Sequence, residues 1–240
     1  MTMRAFAAVT FLLLTATALV PAHAAEPPAL PASLELSYAL RYGTLTVGKV
    51  VKTLTREADG SYRHRSRSTP LGMAKMFTSV QWFEEGQFML VQGKVRPLSF
   101  LEYRVGADRS HRNSARFDWK LQKIFYENWP TTPLPPDTQD QGGILFALML
   151  NPPAPGTQQT IHISSGKKLG VYRYAHAGTE TLKTVLGTLK TMVIERPPLD
   201  KDGESFRIWL AVERGNLPVR ITTQKRGQET TLELELVSGL

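Results

Sequence analysis

The 240-residue chain contains no cysteine. That absence excludes disulfide staples, thiolate metal sites, a cysteine nucleophile and the lipidated cysteine of a bacterial lipoprotein. Histidine is sparse as well. Beyond residue 24 it occurs as His64, His111, His162 and His176, with no pair at H-x-H or H-E-x-x-H spacing. Each reads as an ordinary strand or loop residue, not as a metal ligand. No G-x-S-x-G elbow presents a serine nucleophile. Ser165-Gly166-Lys167-Lys168 resembles the end of a phosphate loop, but the earlier glycine is missing and Lys168 stands where Ser or Thr would hold Mg²⁺. It reads as a hairpin turn. The acids Glu84, Glu85, Asp200 and Asp202 fall at expected turns, where carboxylates serve solubility more than acid–base chemistry. The sequence therefore points to no catalytic residue, no metal and no cofactor.

Long hydrophobic runs are missing too, except at the very start. Met1 to Arg4 is a short basic opening, and Ala5 to Val20 is a run of apolar and small residues. Pro21 then ends any helix, and Ala22-His23-Ala24 supplies the small-x-small pattern of signal-peptidase cleavage. The run is too short for a convincing membrane span. The expectation is a signal peptide over 1–24, a Pro-rich tether over 25–33 and a single β-rich periplasmic domain over 34–240. No transmembrane segment is expected after cleavage. Without disulfides, that domain must be held by its core alone.

Net charge is +8, and cleavage would remove Arg4 and no acid. Such a surface suits anionic partners, and the compartment favours envelope lipid or anionic glycan over nucleic acid. A solubility role explains the same charge equally well.

The remaining chain alternates. Leu34, Leu36, Tyr38, Leu40 and Tyr42 fall on one face and Glu35, Ser37, Ala39 and Arg41 on the other, the signature of a half-buried strand. Turn signals recur at Asp59-Gly60, Glu85-Gly86, Gln92-Gly93, Ser165-Gly166, Asp202-Gly203, Gly215-Asn216 and Arg226-Gly227. Strands are expected near 34–42, 45–56, 61–69, 79–84, 87–91, 94–105, 113–120 and 122–127. A second set is expected near 160–164, 169–176, 179–186, 188–196, 205–213, 217–226 and 229–237. The fold class is mainly β: a curved antiparallel sheet or incomplete β-barrel with one inserted helix. That helix is expected over 138–151, capped by Asp137 or Asp140 and stopped by Pro152-Pro153. Ile144 to Leu150 is apolar all round, so the helix belongs in the concavity of the sheet. Gly142-Gly143 implies either a close backbone contact or a late helix start.

Three features are candidates for binding. Arg63, Arg65 and Arg67 share one strand face and either clasp phosphates or carboxylates or form a solvated outer face that discourages edge pairing. Arg109, His111, Arg112 and Arg116 gather around a second loop that also reads as a mobile charged hairpin tip. Aromatics crowd the middle third, among them Trp82, Phe117 and Trp119, and with Ile144 and Leu148 they are candidates to line an apolar hollow. Phe117 and Trp119, two residues apart, are expected on one buried face.

Several landmarks together resemble a known family. They are Tyr42-Gly43-x-Leu45-x-x-Gly48, Ala115-Arg116-Phe117-Asp118-Trp119, Gln139-Asp140, Gly187-Thr188-Leu189-Lys190-Thr191, Trp209-Leu210 and Leu217-Pro218-Val219-Arg220-Ile221. In order and spacing they resemble the domain-of-unknown-function 3108 family of bacterial periplasmic proteins, over nearly the whole chain past the first 33 residues. The family usually continues Asp140 with Pro-Leu-Ser, whereas this chain has Gln141-Gly142-Gly143. The resemblance implies an exported β-rich domain and carries no catalytic residues. More distantly, the expected architecture is similar in fold to lipoprotein carriers of the LolA/LolB type.

Three functions are compatible with this reading. The first is a non-enzymatic binding or carrier protein of the cell envelope with an acyl chain in the β concavity. The second is a surface binder of anionic polymers such as lipopolysaccharide through the arginine face. The third is a cryptic envelope hydrolase or transferase.

Overall fold

The computed structural model describes residues 29–106, 111–198 and 203–239. The expected signal peptide and Arg109 lie outside the described residues. One sheet of fifteen strands dominates. Its first half is β1 (Ser33–Tyr42), β2 (Leu45–Arg56), β3 (Tyr62–Pro70), β4 (Gln81–Val91), β5 (Lys94–Val105), β6 (Arg112–Asp118), β7 (Lys123–Tyr126) and the short β8 (Thr132–Pro133). The second half is β9 (Thr138–Asp140), β10 (Gln158–Ser164), β11 (Leu169–Thr184), β12 (Gly187–Arg196), β13 (Glu204–Ala211), β14 (Leu217–Lys225) and β15 (Gln228–Ser238). Two short helices interrupt them, α1 (Ala74–Phe77) and α2 (Ile144–Leu150).

Each half is a meander, and the two join where β1 pairs antiparallel with β15. The spatial order runs from β8 through β1 and β15 to β9. The two ends of the sheet are thus neighbours in sequence, yet they do not pair: the barrel is incomplete. All pairings are antiparallel except β9 with β10. At the seam, β5 pairs with β6 only over Ser99–Tyr103, which leaves earlier carbonyls of β5 without a strand. Side chains cover two of them. Gln139 Nε2 donates to the Val95 carbonyl at 2.9 Å and Trp119 Nε1 donates to the Pro97 carbonyl at 2.7 Å. A bare sheet edge is a liability, and these bonds close part of it without a strand.

α2 fills the concavity as its composition demands. Six of its seven side chains are buried, Ala147 being the exception. Phe146, Met149 and Leu150 join a cluster with Leu34, Tyr38, Leu54 and Phe88. On its other flank Ile144, Leu145 and Leu148 meet Tyr174, Ile194, Ile208 and Ile221. At about 1.5–3 kcal/mol for each large apolar side chain fully buried, the helix is a principal element of the core. Its carbonyl end is tied to the second half, since Asn216 Nδ2 donates to the Met149 carbonyl at 2.9 Å. The C-cap residue reaches the first half, Asn151 Nδ2 donating to the Gly93 carbonyl at 2.8 Å.

The structure corrects three expectations. The helix begins at Ile144, not near residue 138, because Thr138–Asp140 pairs with β10 as a parallel strand. The N-cap is Gly143, with no side-chain cap; Asp140 instead braces the turn before the helix, its Oδ1 accepting the backbone N–H groups of Gly142 at 2.9 Å and Gly143 at 2.7 Å. Glu85-Gly86 is no turn, since β4 runs through it and pairs Gly86 with His64. The expected strands at 169–176 and 179–186 are one strand, β11, kinked where the register shifts between His176 and Gly178.

Candidate functional site

The inner face of β3 carries Tyr62, His64 and Ser66, and the outer face carries Arg63, Arg65 and Arg67. His64 and Asp140 form the most enclosed polar pair of the interior. His64 Nε2 lies 3.0 Å from Asp140 Oδ1, and the two side chains are 3% and 0% exposed. The imidazole stands against the rings of Phe88 and Phe146 at 6.3 and 5.9 Å between centroids. Glycines make this possible. A Cβ at Gly86 would overlap the His64 ring, and one at Gly142 would lie 2.5 Å from its Cε1. A Cβ at Gly143 would lie 2.6 Å from Asp140 Oδ2. The pair thus fixes the start of α2 against β3 and β4, and nothing this closed offers a substrate access.

Beside that pair, on the β10–β15 side of α2, lies a cavity of about 470 Å³. Its deep wall is apolar: Ile144 and Leu145 of α2, with Ile221 and the rings of Tyr174 and Phe206. Its rim is charged, with Lys52, Glu84, Lys168, Arg196 and Glu204. Lys168 and Glu204 are exposed, so this rim faces water. On the first-half side, Lys52 Nζ donates to Ser66 Oγ at 3.2 Å and sits 3.8 Å from Glu84 Oε2. Gln141 Nε2 donates to Glu84 Oε1 at 3.3 Å. On the second-half side Arg196, buried at 9% exposure, lies beneath Tyr172 and Phe206. The hollow thus has one apolar wall with charged and polar groups on both its sides, and its volume falls in the range of small-molecule sites. A smaller cavity of about 310 Å³ lies at the seam, between Val95, Gln139, Ala147 and Ile161.

Of the residues singled out from sequence, Ile144 lines the main cavity, and Leu148 is wholly buried in the core behind it. Phe117 is buried elsewhere, in a cluster with Phe100, Ile124 and Tyr126 under β5–β7. Trp119 packs against that same cluster, as the spacing of two residues suggests, but is not fully buried there. It follows the end of β6, only half-buried, and bends over to cap Pro97 with Arg96 4.7 Å above its ring. Trp82 is 37% exposed, under the guanidinium of Arg104 at 3.5 Å and edge-on to His111.

The arginine face of β3 exists as expected, but acids have reached it first. Arg63 contacts Glu57 and Glu85 at 2.7 Å each, and Arg65 contacts Glu85 at 3.0 Å. Arg67 donates to Gln81. Burial pushes the Glu85 carboxyl up, and the hydrogen bonds and charges of Arg65 and Arg63 more than offset it, holding it below the usual glutamate range. The second basic group splits between faces: His111 approaches Glu102 at 2.6 Å, whereas Arg112 and Arg116 pair with Glu127 and Asp118. Ser165–Lys168 is the β10–β11 hairpin turn, closed by Ser165 N–H to the Lys168 carbonyl at 3.1 Å. Among the described residues, no three His, Asp or Glu side chains gather as a metal site.

The cavity wall is what sequence reasoning missed. It draws its rings from Tyr172, Tyr174 and Phe206 in the second half, not from the aromatic-rich middle third. Arg196 follows Met192 and Ile194 at alternate positions of β12, but Thr188 and Lys190 share that parity, so the alternation alone does not mark it as enclosed.

Fold and site together define a barrel-like open-sheet protein with a half-open cavity beside α2. The chain belongs to the family described as protein of unknown function DUF3108, which matches residues 37–235. No curated protein matches it. Among solved structures it is similar to a beta-barrel-like protein of domain of unknown function DUF1849 from Brucella abortus, at 10% identity and a TM-score of 0.58. That likeness covers 88% of this chain and 98% of the other, and it concerns the fold alone.

Proposed function

We propose that the protein is a non-enzymatic binding or carrier protein of the bacterial cell envelope, exported to the periplasm, with an acyl chain or similar apolar ligand in the sheet's concavity. The observation that carries this reading is the cavity of about 470 Å³ beside α2, apolar at depth and charged at its rim. Export rests on the sequence of residues 1–24. The reading expects the mature chain to begin at Ala25, which amino-terminal sequencing of periplasmic protein checks.

Ligand binding is tested by titrating the purified protein with a fluorescent fatty acid. The expected result is micromolar binding that unlabelled fatty acid displaces. Ile163 is half-buried and lines the cavity, so Ile163→Trp should fill the hollow at little cost to the core and weaken binding about ten-fold or more. A wild-type protein that binds no fatty acid overturns the reading. So does a folded I163W variant that binds as tightly as wild type.

A further inference from the structure

Arg196 ends β12 on the inner face, two residues past Ile194, and lines the main cavity. Its side chain is only 10% exposed. The guanidinium carbon lies 4.7 Å from the Tyr172 ring centroid and 5.8 Å from that of Phe206, so both rings pack around it. A guanidinium offers five N–H donors in a fixed fork. Among the described residues, one bond goes to a carboxylate, Nη2 to Glu204 Oε1 at 3.0 Å, and Nε is buried with no partner. Glu204 itself is 45% exposed, a partner that can swing into water. The other cations of the cavity are differently placed: Lys52 is engaged by Glu84 and Ser66, and Lys168 stands exposed. Beside Arg196, Tyr174 lines the same cavity, and burial holds its hydroxyl protonated well above the ordinary tyrosine range. The site thus sets an under-bonded, ring-packed guanidinium and a neutral hydroxyl beside an apolar hollow.

We propose that Arg196 anchors the oxyanion head of a single-chain amphiphile, a carboxylate or phosphate monoester, whose chain lies against Ile144, Leu145 and Ile221. Arginine suits such a head because its fork matches two oxygens at once. The inference rests on the carrier reading and adds the charge and place of the head. Glu204 occupies the fork when the cavity is empty and yields to the ligand.

The test titrates the purified protein calorimetrically with dodecanoate, dodecyl phosphate, dodecanol and inorganic phosphate. Wild type should bind both anionic amphiphiles about ten-fold or more tighter than the alcohol, the advantage of a charge-assisted bond. Arg196→Gln should abolish that preference and leave dodecanol binding within about two-fold. Glu204→Gln, which removes the competing carboxylate, should tighten anion binding. It keeps the proposal testable if R196Q fails to fold by circular dichroism. Equal wild-type affinity for all three chains overturns the headgroup assignment and leaves the carrier reading intact. An anion preference that survives in R196Q, or that E204Q weakens, also overturns it. Inorganic phosphate binding as tightly as dodecyl phosphate makes this a free-anion site and overturns the amphiphile. No binding by any of the four overturns both readings.

Discussion

The outside and the inside of the open sheet handle charge in opposite ways. Outside, Arg63, Arg65 and Arg67 on β3 meet Glu57, Glu85 and Gln81, and farther around Arg112 meets Glu127 and Arg207 meets Glu195. These contacts are numerous, short and largely solvated, and exposed pairs of this kind contribute about 0–1 kcal/mol each. Inside, charged groups are few and incompletely bonded. Among the described residues, Asp140 Oδ2 and Arg196 Nε are buried without a hydrogen-bond partner, and His64 Nε2 approaches Asp140 at 3.0 Å without the alignment of a hydrogen bond. The count of ion pairs therefore misleads about where charge matters. The outer pairs are largely solvated, whereas the inner groups seat α2 against the sheet and, on the carrier reading, would meet the ligand.

That contrast predicts a graded series of effects. Asp140→Ala should be the most damaging, because it removes the acceptor of the buried Gly142 and Gly143 N–H groups and the carboxylate beside His64. A loss of about 3 kcal/mol or more is expected, which for a chain of this size lowers the melting temperature by about 6–12 °C. A melting curve that barely moves would show that the interior pair is no more important than the exterior ones. Gly86→Ala comes next, since its methyl would overlap the His64 ring. Overpacking of this kind costs about 1–3 kcal/mol, readable as a lower denaturation midpoint. The double variant with His64→Ala should recover part of that loss, and the absence of recovery would place the strain elsewhere.

Trp119→Phe keeps most of the ring and removes the indole N–H, so the Pro97 carbonyl loses its cap at the seam. About 1 kcal/mol is expected, with faster amide exchange along β5 as the local readout. The smallest effect belongs to the exterior. Changing Arg63, Arg65 and Arg67 together to Gln should cost no more than about 1 kcal/mol per pair removed and should matter less as salt rises. Its pH signature is specific. Glu85 has a lowered folded-state pKa, so its contribution is present above the ordinary glutamate range and is lost as pH falls through the folded value. In the triple variant that part of the acid dependence should disappear, while stability near neutrality changes little. A large loss at neutral pH would contradict the ranking of outside below inside.

Much of the fold was legible because alternation is a local property. The β1 pattern, the hairpin turns and the all-apolar Ile144–Leu150 each declare themselves within a few residues. What was not legible depends on partners far away in sequence. Gly86 looks like a turn glycine until His64 is placed opposite it. Thr138–Asp140 looks helical until β10 supplies a parallel neighbour. The aromatics of the middle third suggested a lining, but alternation sends Phe83 and Tyr103 to the side opposite the buried Phe88 and Phe100, where they stack at 4.9 Å. Trp119 does side with Phe117, as their spacing suggests, but the chain leaves the strand at Asp118, so its ring is only half-buried against that cluster and its N–H reaches the Pro97 carbonyl. At the candidate site, Ile144 was legible from hydrophobicity alone. Arg196 was not, because only the closure of β11–β13 around it turns a strand-end arginine into an enclosed one.

The pairing of β1 with β15 has a consequence in time. Residues near the beginning and the end of the chain, Glu35 with Ser238 and Tyr42 with Thr230, are opposite one another in a central ladder of the sheet. However the chain is delivered, amino end first, β1 can acquire β2 as a neighbour early but must wait for the final strand to emerge before its other edge is satisfied. Contacts this distant in sequence carry a high loop-closure cost and form slowly. Until then β1 is an open template for wrong partners, including another copy of itself. Completion of the fold is therefore gated by arrival of the last residues. A chain truncated before β15 should fail as a whole, not merely lose its final strand.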